Sequence, residues 1–174
     1  STSAYLPLAS TSVTTPAHLR NRIAPLGADI QAQAGAELRL ETIGTAPNRV
    51  CVVQWTNYKR FSTAGTGHSL NFQLRLNESD NSVEVVYGTM TFNATSSTAH
   101  VGLGGSVATD FNNRLTTNNW NTTAPGTANT SSCTFSTAVT PPVSGTTFRW
   151  ALQPPCAGTP APGNTTSTAS PVCS

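Results

Sequence analysis

Three short runs between residues 49 and 88, RVCVVQW, LNFQLRL and SVEVVYG, restrict the possible folds of this chain more than any other feature. In each, side chains alternate in the period-2 pattern of a strand with two distinct faces. In the first, Cys51, Val53 and Trp55 share a face, and Val50, Val52 and Gln54 share the other. A strand apolar on both sides belongs inside a sheet, covered at least partly on both faces. In the second, Leu70, Phe72, Leu74 and Leu76 oppose Asn71, Gln73 and Arg75; in the third, Val83, Val85 and Tyr87 oppose Glu84. The NESDN segment at 77–81 supplies the Asn and Asp that favour a tight turn. An antiparallel meander is expected, with the rest of the chain built around it.

Residues 1–20 are rich in Ser and Thr with Pro7 and Pro16, and predict a loop or an edge strand at 4–8. Residues 21–34 predict a short strand or turn that packs Ile23, Leu26 and Ile30; Pro25 and Gly27 argue against a long helix. Residues 36–42 alternate, with Leu38 and Leu40 on one face and Glu37, Arg39 and Glu41 on the other. Further strands are expected at 100–103, 133–139 and 147–152, and 107–128 reads as a long ordered loop. The domain is placed at 1–153, followed at 154–174 by a Pro/Gly/Thr-rich linker or the start of an Ig-like module.

Composition agrees with an all-β extracellular domain. Charged residues make up only 9% of the chain, against roughly 25% in an average soluble protein. Its polarity comes from Thr, Ser and Asn, which suit pleated surfaces and turns. The net charge of +2 and the scattered arginines argue against nucleic acid as a partner. No apolar run reaches the length of a membrane-spanning helix, so direct membrane insertion is not expected. The chain opens on STSAYLPL, without an initiator Met or an apolar leader core, so a removed leader or a piece of a longer protein is expected.

The four cysteines lack CxxC spacing, which argues against a zinc site. Cys51, between valines, is expected to be a buried thiol. Cys156–Cys173 is the preferred disulfide, with Cys133–Cys156 as its rival. Catalytic chemistry is thinly supplied. Glu37, Glu41 and Glu84 occupy outward strand faces and Glu78 and Asp80 a turn, so no carboxylate pair flanks a cleft as glycoside hydrolysis requires. His18, His68 and His100 are isolated, without HxH or HExxH spacing, and read as ordinary surface or satisfied histidines. No metal, no cofactor and no enzymatic activity are expected. The most ligand-like stretch runs from Asp110 to Trp120. There Asp110, Asn112 and Asn113 offer oxygens suited to calcium, and Trp120 offers a ring that could stack on a sugar. The favoured reading nonetheless has the Asn side chains capping turns and Trp120 covering the edge of the core.

The succession ADIQ, ELRLETIG, NRVCVVQWTNYKRF, LNFQLRLNESDNSVEVVYG and AHVGLGG resembles the nidogen-like extracellular domain, with its strand ending in V-x-W and its strand ending in Y-G. It is similar in particular to the N-terminal β-sandwich domains of Bacteroidota surface proteins exported by the type IX secretion system. ETIGTAPNRV, FNNRLTTNNW and PPCAGTPAPGN carry that closer likeness. The resemblance covers about residues 21–174 and implies an antiparallel β-sandwich, jelly-roll or nidogen-like, on the bacterial cell surface. Two departures stand out. Such domains usually carry an aromatic residue at the place of Cys51, and they place further strands before the part matching 4–8. A sandwich lacking those strands has open edges that another chain could complete by strand addition. The expected function is therefore an adhesive or structural module, with protein partners or identical subunits at its sheet edges. A filament subunit assembled by strand exchange and a carbohydrate-binding module that recognises surface glycans are the alternatives.

Overall fold

The computed structural model describes residues 21–152. The expected strand at 4–8, the 154–174 linker, His18, and the Cys156–Cys173 pair lie outside the described residues. Within them the chain forms, in order, β1 (Arg22–Gly27), β2 (Ile30–Ile43), β3 (Val50–Arg60), β4 (Leu70–Asn77) and β5 (Val83–Tyr87). Then come β6 (Ser97–Gly104), β7 (Phe111–Leu115), β8 (Ala124–Pro125), β9 (Cys133–Phe135) and β10 (Thr147–Trp150). They form two antiparallel sheets, one ordered β1-β6-β7-β8 with β9 also paired to β6, the other ordered β10-β5-β4-β3-β2. The fold is an all-β sandwich, as the alternation requires.

The meander at 49–88 is the middle of the second sheet. Register carries its inner face across all five strands, because residues directly opposite in a ladder point to the same side. One cross-strand row runs Phe148, Val85, Leu74, Val53, Leu40, and the next runs Tyr87, Phe72, Trp55, Leu38. Near β5 these rows are sealed: Val85 and Tyr87 are fully buried, and they share a core with Leu26, Leu70, Phe72, Met90, Phe92, Val101, Trp120 and Phe135. Trp55 stacks on Phe72, ring centroids 4.9 Å apart. The Tyr87 hydroxyl donates to the Pro25 carbonyl at 2.6 Å and so ties the meander to the opposite sheet. Burial that complete stabilises each large side chain by about 1.5–3 kcal/mol.

Several expectations need correction. Residues 107–128 are not one long loop: they contain β7, a 3-10 turn at Trp120–Thr122 and the short β8. Polar residues on β7 hide its alternation, because Asn113 serves as a buried backbone-bonding residue where an apolar one would ordinarily sit. Its amide donates to the Ala128 carbonyl at 3.0 Å. Ile23 is not packed but 39% exposed, since β1 is the last described strand of its sheet. The two thiols also exchange roles. Cys133 is the fully buried one, while Cys51 is only half-buried on the sheet's inner face; both thiols are free among the described residues, and Cys156, the other member of the rival pair, lies outside them. Finally, His68 and His100 are buried rather than on the surface, and no hydrogen-bond partner reaches either ring nitrogen of His68 or Nδ1 of His100.

Candidate functional site

The Asp110–Trp120 stretch does not bring its oxygens together. Asp110 folds back on its own turn, its carboxylate accepting from the Ser106 N–H at 3.4 Å. Asn112 and Asn113 are neighbours on a strand and so point to opposite sides. Asn112 Oδ1 accepts from Trp150 Nε1 at 3.0 Å, while Asn113 lies in the interior. Trp120 is fully buried against Tyr87 in an edge-to-face contact at 5.3 Å, and its Nε1 donates to the Thr134 carbonyl at 2.7 Å. It has no free ring face for a sugar. Asn119 caps the 3-10 turn by accepting from the Asn121 N–H at 2.9 Å. Among the described residues no three His, Cys, Asp or Glu side chains are grouped to hold a metal.

Charged side chains pair on the surface. Arg49 grips Glu78 through Nε at 2.9 Å, Nη2 at 2.6 Å and its backbone N–H at 3.0 Å, and these contacts hold the Glu78 carboxyl down to about 2. Arg149 binds Asp80, which also accepts from the Ser82 N–H at 2.9 Å and so shapes the turn between β4 and β5. Both contacts serve the ends of the meander. The perturbed interior groups are held by packing: burial pushes the Cys133 thiol up to about 12 and the His68 imidazole below its ordinary value.

The unusual surface lies at the other end of the inner-face rows. Leu38 is 58% exposed and Leu40 72% exposed, although both continue rows that begin in the core. β1 is the last described strand of the opposing sheet and lies above β4, and between β1 and the second sheet runs a groove of about 340 Å³ bordered by Ile23, Leu26, Ile30, Trp55, Phe72 and Leu74. Beyond it, no described residue covers β2. Nor, among the described residues, does any strand pair with the outer side of β2. Among the described residues, the unpaired edge of β2 therefore borders one exposed apolar strip.

β2 itself has two parts. Residues 30–32 pair with 58–60, and residues 37–43 pair with 50–56, the register shifting between Ala32 and Glu37. Gly35 takes a φ of +75° in that bulge, a conformation that side chains with a Cβ rarely adopt. Gln33 donates to Asn57 Oδ1 at 2.9 Å, and Asn57 donates to the Ala34 carbonyl at 3.0 Å, so the bulge is fixed from the neighbouring strand. Past the bulge, residues 37–43 form a regular edge carrying Leu38 and Leu40 inward and Glu37, Arg39 and Glu41 outward. Arg39 and Glu37 pair at 2.7 Å on that outer face. Such an edge offers backbone donors and acceptors to an incoming strand. Sequence reasoning placed an open edge ahead of residue 4 and missed this one. The available signal was the paucity of apolar residues at 36–42, where only one face carries leucines and the other is wholly charged.

No curated protein and no solved structure matches the chain. A family profile described as NIDO related matches residues 1–152, which takes in every described strand. This chain belongs to the nidogen-related family.

Proposed function

We propose that the chain is a non-enzymatic structural or adhesive module of an extracellular protein, and that it works by binding polypeptide along the free edge of β2. The carrying observation is the pair of leucines, Leu38 and Leu40, exposed at the end of rows that are otherwise core. Monomeric surfaces seldom leave a contiguous apolar strip beside an unpaired edge, and partners that add a strand satisfy both at once. Family membership supports an extracellular setting. A bacterial cell surface reached by type IX secretion is the finer form of the proposal, resting on the likeness of ETIGTAPNRV and FNNRLTTNNW to that group. Assembly into a filament is a second reading, favoured by the edge of β2 that no described strand pairs with.

A photoreactive amino acid at Leu40, introduced in the protein at its natural site of secretion, tests this reading. Covalent adducts with polypeptide are expected at Leu40 and not at Val143, which is comparably exposed at 67% but lies off the edge. Equal capture at both positions, or none at Leu40, would refute it.

A further inference from the structure

We propose that the partner of the β2 edge is β2 of a second copy of this chain, paired antiparallel about a twofold axis at Leu40. The inference rests on the edge-binding function proposed above and names its occupant. The segment that carries it is Glu37-Leu38-Arg39-Leu40-Glu41, an edge run whose outer face alternates in charge while its inner face carries leucines. In an antiparallel pair, residues directly opposite share a face, and unlike charges opposite one another stabilise while like charges oppose pairing.

The register is set by that rule and by the bulge. An axis at Arg39 sets arginine against arginine and Glu37 against Glu41 of the second copy, which is unfavourable. An axis at Leu38 pairs Glu37 with Arg39, but it draws Gly35 and Ala36 into the ladder, where β2 is irregular. An axis at Leu40 uses only the regular run 37–43. It sets Arg39 against Glu41 of the second copy twice, Leu40 against Leu40, and Leu38 against Thr42. Arg39 then lies between its own Glu37, already 2.7 Å away, and the opposing Glu41. On the inner face, the leucines of both copies form one apolar strip, and the two five-stranded sheets join into one. A twofold interface is self-complementary and closes at two subunits.

Charge exchange tests this without touching the core, because Arg39 and Glu41 are both exposed. Sedimentation of the full chain over a rising concentration series is expected to show a dimer for the wild type. R39E replaces both attractive pairs by repulsive ones and should weaken the dimer roughly tenfold or more. R39E/E41R restores opposite charges in the Leu40 register and leaves Glu37 against a glutamate in the Leu38 register, and it should recover most of the loss. R39E/E37R, which would restore the Leu38 register, should not. Leu40→Lys should give a monomer, with circular dichroism confirming that it is folded. A wild type that stays monomeric, a species that grows beyond two subunits, or a dimer indifferent to R39E would overturn the proposal. If the wild type is monomeric yet the photoreactive probe at Leu40 still captures another polypeptide, the second-copy inference fails and the edge-binding function stands. If the probe captures nothing, both fail.

Discussion

Val85 and Leu40 occupy the same cross-strand row with the Leu74–Val53 pair between them, yet one is fully buried and the other 72% exposed. Truncating each to alanine measures directly where the sandwich's cover ends. Val85→Ala removes two carbon groups from a sealed site, about 0.8 kcal/mol each in transfer, and the cavity left behind raises the cost to about 2–3 kcal/mol. Leu40→Ala removes more carbon but from a side chain that keeps only about a quarter of its surface from water. Since full burial of leucine is worth about 1.5–3 kcal/mol, the loss should be no more than about 0.5–0.8 kcal/mol. Urea unfolding of the two variants, at protein concentrations low enough to keep the chain monomeric, gives both values from the shift in midpoint at constant slope. Equal costs would refute the reasoning, because Leu40 could then be buried only if some part of the chain outside residues 21–152 lay over β2.

Three further outcomes concern the interior. Burial holds His68 and His100 below the ordinary histidine value of 6.5, so the unfolded chain takes up protons first. Stability should therefore be fully present above about pH 6.5 and fall as the pH drops below it; a His68→Phe variant that flattens this decline in urea titrations would confirm the source, and an unchanged profile would contradict it. Cys133, with its thiol pushed up to about 12 inside the core, should resist a thiol reagent in the native protein, while half-buried Cys51 should react; equal rates would count against the assignment. Gly102 has a φ of +142°, and a Cβ there would stand 2.4 Å from the Asn112 carbonyl oxygen, so Gly102→Ala should lower stability by more than about 2 kcal/mol in the same assay.

How much of the fold was legible in the sequence depends on what each strand presents. β3, β4 and β5 advertise themselves because apolar residues alternate at every second position of each strand from Cys51 to Tyr87. β7 did not, because its buried position is filled by Asn113, whose amide finds the Ala128, Asn129 and Ser131 carbonyls, and composition cannot distinguish such a residue from a loop asparagine. Trp120 stayed a candidate ligand platform beside its core-edge reading for the same reason: local polarity surrounds it, whereas the partners that bury it, Tyr87, Phe92 and the Thr134 carbonyl, come from elsewhere in the chain. The burial of Cys133 and the exposure of Leu40 share that cause. Period tells which residues lie on one face of a strand, but whether the face is covered depends on where the opposing sheet stops. Among the described residues it stops at β1, above β4, and the candidate site is the part of the face left over.

The openness of the β2 edge is the point on which the functional proposal turns, and residue-resolved amide hydrogen exchange reads it. In dilute solution, alternate amides from Glu37 to Ile43 should exchange freely, because their partners in the ladder to β3 account for only every second group. Raising the protein concentration should slow those same amides and leave the rest of the chain unchanged. Uniform protection of the whole run at every concentration would mean that the edge is already occupied, and would contradict the proposal.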